Sequence, residues 1–208
     1  MSQDTMNPST TNPKTAKKIK NSVTAKPVTI YHHTLSLGNR EWTLWASGKG
    51  LIRISYEQDQ GRLPESWLNT YAPAHELKES AEVFAAMGVT SLLERYFAGN
   101  PVSFADLPLD LWGTAFQQEV WRGLTQIPFG GLATYKELAV QIGRPLAVRA
   151  VGAANGQNPI PVIVPCHRVI GANGTLTGYR GGLKLKQELL ALEGITHVGA
   201  AGHERFAF

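Results

Sequence analysis

Residues 134–155 read Thr-Tyr-Lys-Glu-Leu-Ala-Val-Gln-Ile-Gly-Arg-Pro-Leu-Ala-Val-Arg-Ala-Val-Gly-Ala-Ala-Asn. Thr134, with Glu137 three residues on, is a capping box that opens a helix. Tyr135, Leu138, Ala139 and Ile142 recur at helical spacing and make its buried face. Gly143 stops it. Pro145 suits the first turn of a second helix, which runs through Val148, Val151 and Gly152 to about Asn155. Two short helices around a tight glycine turn have the shape of a helix-turn-helix, whose second helix enters a groove of DNA. The small residues Ala147, Ala150, Gly152, Ala153 and Ala154 would let a nucleic-acid backbone come close. An ordinary helical hairpin in a core has the same pattern, and the pattern alone leaves both readings open.

The flanks complete the plan. Upstream, Thr114 can cap a helix with apolar positions Phe116, Val120, Leu124 and Ile127, ended by Pro128-Phe129-Gly130-Gly131. Downstream, Asn158-Pro159-Ile160-Pro161 breaks the second helix, and Val162-Ile163-Val164 reads as a short buried extended run. Further upstream the pattern changes to strands. Val28–Leu37 ends at Gly38-Asn39, Glu41–Ser47 sets Trp42, Leu44 and Ala46 on one face, and Leu51–Tyr56 follows a Ser47–Gly50 turn. This predicts a small antiparallel sheet with hairpin connections. Residues 74–98 read as helix in two pieces, broken near Gly88. The expected fold is therefore an α/β N-terminal domain over 27–107 followed by a mostly α, helix-turn-helix (winged-helix-like) domain over 108–208. Residues 1–26 are expected to be a disordered basic tail.

Composition narrows the class. The chain has 208 residues, 43% hydrophobic and 17% charged, which supports a packed core and excludes wholesale disorder. No apolar run approaches the ~18 residues a spanning helix needs, and no secretory-type apolar stretch opens the chain. The single cysteine, Cys166, can form neither an internal disulfide nor a cysteine-rich zinc site, which points to a reducing cytoplasmic location. His32 and His33 are neighbours in a strand and face opposite ways, so no metal site is expected there. The net charge of +4 resides in residues 1–26, five lysines against Asp4. The remainder balances, but between Trp121 and Lys186 there are eight basic residues and one acid, Glu137. That stretch is either a polyanion-binding face or a solvated surface.

Pro165-Cys166-His167-Arg168-Val169-Ile170 follows the apolar run. A lone cysteine is ordinarily an inert buried residue. Here it follows a rigid proline, lies in a basic stretch and adjoins His167; a nearby imidazole or cation favours a reactive thiolate, with His167 a candidate because neighbours in sequence need not be partners in space.

The stretch Pro165–Val169 resembles the active-site signature of the O6-alkylguanine-DNA alkyltransferases (methylated-DNA–protein-cysteine methyltransferases). Phe116-Gln117-Gln118-Glu119-Val120-Trp121, Ile127-Pro128-Phe129-Gly130, Arg149-Ala150-Val151-Gly152-Ala153-Ala154, Asn158-Pro159 and Gly178-Tyr179-Arg180-Gly181-Gly182 match the same family in order. The likeness covers about residues 108–196. The N-terminal half is similar in general plan, best at Glu94–Gly99. The chain is most similar to the stand-alone bacterial form.

The resemblance implies a set of roles. Cys166 would accept an alkyl group from O6 of guanine, and a thioether is not hydrolysed in cells, so each molecule would act once. His167 would take the thiol proton through a water, Glu193 would orient His167, and the charged thiolate–imidazolium pair would be favoured over the neutral one. Without the resemblance Glu193 is simply the acidic end of the helix Lys184–Leu192. Tyr135 would protonate the departing base. Tyr179 would pack over that base, Val169 would line its pocket, and the backbone N–H of Arg180 would meet O6. Arg149 would fill the stack left by a flipped base. The helix carrying Ala150 and Gly152 would lie in the minor groove, and Asn158 would join it to the active-site segment. The implied partner is double-stranded DNA carrying alkylated bases, O4-alkylthymine among them. No cofactor, metal or membrane is implied. A monomer is expected, with cooperative assembly on DNA left open.

Overall fold

The computed structural model describes residues 26–56 and 59–199. The basic tail expected over 1–26 thus lies outside the described residues, Lys26 excepted. β-Branched and aromatic residues form strand β1 (Val28–Leu37). Gly38 and Asn39 follow with φ of 58° and 61°, the left-handed pair that a two-residue hairpin demands. The chain returns as β2 (Arg40–Ser47) and again as β3 (Gly50–Ser55). Both pairings are antiparallel, as expected.

Next come helix α1 (Glu65–Tyr71) and a fourth strand, β4 (His75–Glu79). The strand corrects the expectation of helix from residue 74. It pairs parallel with β1, from Val28↔His75 to His32↔Glu79, so the sheet is mixed, in the order β3-β2-β1-β4. Its sequence, His-Glu-Leu-Lys-Glu, is almost wholly polar and sits exposed at the sheet edge. Backbone pairing with β1, not side-chain periodicity, makes it a strand. The two helical pieces then appear as α2 (Ala81–Ala86) and α3 (Val89–Phe97), parted at Gly88.

Both faces of the central strands are buried. Trp42, Leu44 and Ala46 join Phe84, Leu93 and Tyr96 on one side. Trp45 and Ile52 face the other, covered by Leu68 of α1 together with Leu63 and Ala72.

Beyond residues 104–114, the linker between the two halves, helix α4 (Ala115–Leu124) starts at a reciprocal Thr114–Gln117 cap. A two-residue strand, β5 (Ala133–Thr134), leads into α5 (Tyr135–Gln141), which opens on the expected Thr134–Glu137 capping box. The second helix of the pair, α6 (Val148–Gly156), begins later than expected. Pro145 lies in the preceding turn, which closes through the Ala147 N–H donating to the Arg144 carbonyl at 2.9 Å. Helices α4 and α5 meet where Gly123 leaves room, since a Cβ there would stand 2.5 Å from Ile142. The Trp121 indole donates to the Ala154 carbonyl at 2.8 Å and fixes α4 to α6. Strand β6 (Val169–Ile170) pairs parallel with β5, and α7 (Gly182–Leu192) closes the order. The larger apolar core is continuous across both halves, with Trp42, Tyr96, Trp121, Leu138, Val151, Val164 and Leu189 all in it. Among the described residues no helix is long and apolar enough to cross a membrane.

The linker is stitched along β3. The Leu51 N–H donates to the Pro108 carbonyl and the Asp110 N–H to the Leu51 carbonyl, both at 2.8 Å. A Cβ on Gly50 would fall 2.3 Å from that Pro108 oxygen, and its φ of 150° disfavours other residues. Gly50→Ala is therefore expected to cost about 3 kcal/mol or more, read as a lower urea midpoint. A midpoint within error of wild type would contradict the close approach.

Candidate active site

The position of Cys166 is set by one amide side chain. Asn158 is buried just past α6. Its Oδ1 accepts from the Ile160 N–H at 3.0 Å, and its Nδ2 donates to the Val164 carbonyl at 2.7 Å and to Cys166 Sγ at 3.0 Å. The Val164 N–H closes back on the Ile160 carbonyl at 2.9 Å. Residues 159–164 therefore form a tight buried turn, which corrects the extended run expected over Val162–Val164. Val162 sits at φ 73°, an outlier for a β-branched residue that costs about 1–3 kcal/mol and persists only where surrounding bonds over-determine it. Asn158 supplies those bonds. The Arg168 N–H then donates to the Pro165 carbonyl at 3.0 Å, winding Cys166–Arg168 into a single 3₁₀ turn.

That turn feeds two neighbours of Cys166 into a buried carboxylate. His167 is fully buried, with Nε2 2.7 Å from Glu193 Oε1. Arg168 grips the same carboxylate through Nε at 2.8 Å and Nη2 at 3.0 Å, and its Nη1 donates to the Ile127 carbonyl at 2.5 Å. The Gly130 N–H adds a bond at 3.0 Å and the Tyr96 hydroxyl another at 2.7 Å. An ionised carboxylate only accepts, so His167 Nε2 carries the proton and Nδ1 is left as an acceptor. Among the described residues Nδ1 is buried with no hydrogen-bond partner.

Burial and charge set the protonation states. Burial pushes the Cys166 thiol up, against smaller downward pulls from the Asn158 hydrogen bond and the charges of Arg180 and Lys186. Burial likewise lowers the His167 imidazole, outweighing its bond to Glu193. Both shifts favour the neutral forms, opposite in direction to the charged pair expected from the sequence. Two charges in a desolvated site cost more than their attraction returns here. Burial would also raise Glu193, but hydrogen bonds from His167 and Arg168 prevail and bring it to about 2. Lys186 is fully buried, donates to the Val169 and Thr177 carbonyls at 2.5 and 2.8 Å, and is lowered by burial to about 8.

The cavity over Cys166 measures only about 10 Å³ and is lined by Tyr56, Asn155, Asn158, Pro161, Tyr179 and Arg180. That is room for about one water, not a purine. The Tyr179 hydroxyl is buried without a partner. The Arg180 side chain turns to the N-terminal half, 3.4 Å from Asp59 and 5.5 Å above the Tyr56 ring. Asp59 is shared with Arg53 at 3.0 Å. Tyr135 opens α5 and packs against Gly152, where a Cβ would meet its ring at 3.7 Å. Burial raises its phenol. Arg149 and Ala150 are exposed on α6. Val169 is fully buried in the β5–β6 pair, outside the cavity lining. The structure thus gathers Cys166, His167, Glu193, Asn158, Tyr179 and Arg180, and leaves Arg149 and Ala150 on the surface.

Three contributors were given no role from the sequence, although Tyr96 lies in the Glu94–Gly99 stretch that resembles the family. No chemical constellation is expected in the N-terminal half, yet Tyr96 reaches Glu193, Tyr56 lines the cavity and Asp59 holds Arg180. Their partners are 97 and 121 residues away for Tyr96 and Asp59, beyond any local pattern. Arg168 stood inside the quoted signature without an assigned role. Among the described residues no cluster of three or more His, Cys, Asp or Glu could hold a metal ion.

Two family models match the chain. One, "6-O-methylguanine DNA methyltransferase, DNA binding domain", covers residues 115–195, and the other, the "ribonuclease-like domain" of the same enzymes, covers 36–111. The methylated-DNA–protein-cysteine methyltransferase of Haemophilus influenzae is 42% identical over 153 residues, 74% of this chain and 80% of that one. Its Salmonella typhimurium counterpart is 47% identical over 153 residues, 74% of this chain and 88% of that one. The Mycobacterium tuberculosis OGT crystallised in complex with DNA has a TM-score of 0.65 at 42% identity, covering 80% of this chain and 93% of that one.

Because Glu193 is depressed to about 2 from an ordinary 4.5, its stabilising contribution is fully present above pH 4.5 and is lost as pH falls toward 2. Arg168→Met removes its permanent cation. The expected result is a loss of about 3–5 kcal/mol near neutrality and acid unfolding that begins at higher pH. Urea unfolding at a series of pH values reads both, and an unchanged acid limb would show that Arg168 does not set the carboxylate's affinity.

Proposed function

The chain belongs to the 6-O-methylguanine DNA methyltransferase family, and from that premise we propose that Cys166 is the acceptor of the alkyl group. The family's activity is DNA repair by transfer of a methyl group from methylated DNA to a cysteine of the protein itself. The observation that carries the assignment is the buried line of groups beside the chain's single thiol. Asn158 fixes the sulfur, and the adjacent His167 presents a free Nδ1 while Glu193 holds its other nitrogen.

The step proceeds as follows. The thiol proton passes to His167 Nδ1, directly or through one water, as the reaction begins. The sulfur attacks the alkyl carbon in line, the S–C bond forms, and the C–O6 bond breaks with its electron pair going to the base. The guanine leaves as an anion and takes a proton, for which Tyr135 is the donor. Glu193 keeps the imidazole oriented and stabilises its charged form, the logic of a triad. Burial raises the thiol, so the nucleophile forms as its proton is taken up by the imidazole. The thioether product is stable, so the protein is consumed.

A base inside a duplex cannot reach a buried sulfur, so it is flipped out. The cavity over Cys166 is too small for a purine, so it has to widen to admit the base. Helix α6 lies in the minor groove of duplex DNA, where Ala150 and Gly152 permit close approach with little sequence preference. The exposed Arg149 fills the opened stack. The Arg180 side chain is engaged by Asp59, which leaves its backbone N–H for O6. Val169 borders the base. O4-Alkylthymine offers the same kind of alkyl C–O bond and is a second substrate. The protein acts as a monomer.

Intact-mass measurement after incubation with methylated duplex tests the acceptor. One methyl adduct per molecule is expected for wild type and none for Cys166→Ser, which should still bind duplex. Adduct formation on the Ser variant at the native rate would end the assignment. Arg149→Ala is expected to slow transfer from duplex about tenfold or more while barely affecting transfer from the free modified base. Equal losses on both substrates would give Arg149 another role.

A further inference from the structure

Tyr96 belongs to α3, in the N-terminal half, 71 residues before His167 and 97 before Glu193. Its hydroxyl donates to Glu193 Oε1 at 2.7 Å, the same oxygen that holds His167 Nε2 at 2.7 Å, and lies 3.3 Å from that nitrogen. We propose that Tyr96 is a positioning residue for the acceptor site, whose hydroxyl sets how strongly Glu193 polarises His167. The inference rests on the reading of His167 as the base that serves Cys166.

The hydroxyl is aimed rather than merely tolerated. The Tyr96 ring is fully buried and packs against Phe97, Phe104 and Phe129 at centroid distances of 5.5, 5.9 and 6.0 Å. It meets the His167 imidazole edge-on at 6.5 Å. Such a wall needs only a phenylalanine, and a buried phenol is costly unless its O–H finds a partner. The partner it finds is the relay carboxylate.

The electrostatic consequence has a definite sign. His167 is faced by one anion, Glu193, by the cations Arg168 and Lys186, and by the neutral Tyr96 hydroxyl, with Cys166 adjoining it in the chain. Glu193 divides its charge among Tyr96, His167, both Arg168 donors and the Gly130 N–H. Each donor stabilises the carboxylate and weakens its hold on the others. The Tyr96 hydroxyl therefore tempers the pull on His167 Nε2–H, and its removal concentrates that pull and makes Nδ1 more basic. Tyr96 also stiffens the relay by pinning Oε1 from a separate element. On this account the N-terminal half shares in the chemistry of a cysteine that lies in the other half.

The test uses the full chain with 15N-labelled histidine. The His167 titration is followed in unreacted protein, and the single-turnover transfer rate is measured against pH. In Tyr96→Phe, His167 is expected to titrate higher by on the order of half a pH unit, with the acidic limb of the rate profile rising in step. Site-specific 3-fluorotyrosine at position 96 is a stronger donor of similar shape and should move both the other way. It keeps the hydroxyl, so it carries the test alone if Tyr96→Phe does not fold. An unmoved His167 titration in the variants that fold, with only stability altered, overturns the proposal. A shifted imidazole with an unmoved rate profile supports the action of Tyr96 on His167 and overturns His167 as the base.

Discussion

The site is organised around one buried carboxylate. Glu193 takes hydrogen bonds from α3, from the loop after α4 and from the turn that carries Cys166, while itself capping α7. Placing an ionised carboxylate there costs several kcal/mol in lost hydration, and such a group survives only with a permanent counter-charge and filled lone pairs. Arg168 supplies the charge through two parallel bonds, and Tyr96, Gly130 and His167 fill the remaining acceptor positions. The Tyr96–Glu193 bond thus joins the two halves of the chain beside the proposed acceptor site.

The same desolvation that makes Glu193 expensive restrains its neighbours. It pushes the Cys166 thiol up and the His167 imidazole down, favouring the neutral form of each, and it goes with a cavity over the sulfur of only about 10 Å³. A buried neutral thiol is a poor target for dissolved electrophiles and oxidants, because the thiolate is the nucleophile. Reactivity and access are restrained by one cause. On the proposed reading, in which the single thiol is consumed, the protein benefits from both restraints.

Much of the fold was legible because its signals are local. The hairpin at Gly38-Asn39 follows from two residues that accept positive φ. The caps at Thr114 and Thr134 bond only three residues ahead. The break at Gly88 and the pair of helices on either side of Gly143 needed nothing beyond spacing and glycine. What was misread lacks a local signal. Strand β4 is a strand because β1 offers it partners, and the turn over 159–164 exists because the Asn158 amide substitutes for a regular backbone ladder. Apolar character alone suggested an extended run there.

For the site, the sequence by itself pointed to the proposed reacting groups. There is one thiol, with histidine beside it, inside an ordered set of motifs that named the family and pointed to Glu193, Asn158 and Arg149. The tertiary structure alone decided how those groups are charged and what surrounds them. Tyr96 on Glu193 and Asp59 on Arg180 are contacts across 97 and 121 residues, which no periodicity can announce. The protonation of Cys166 and His167 depends on how completely the rest of the chain excludes water from them. Burial of that kind is a property of the assembled fold, not of any stretch of sequence.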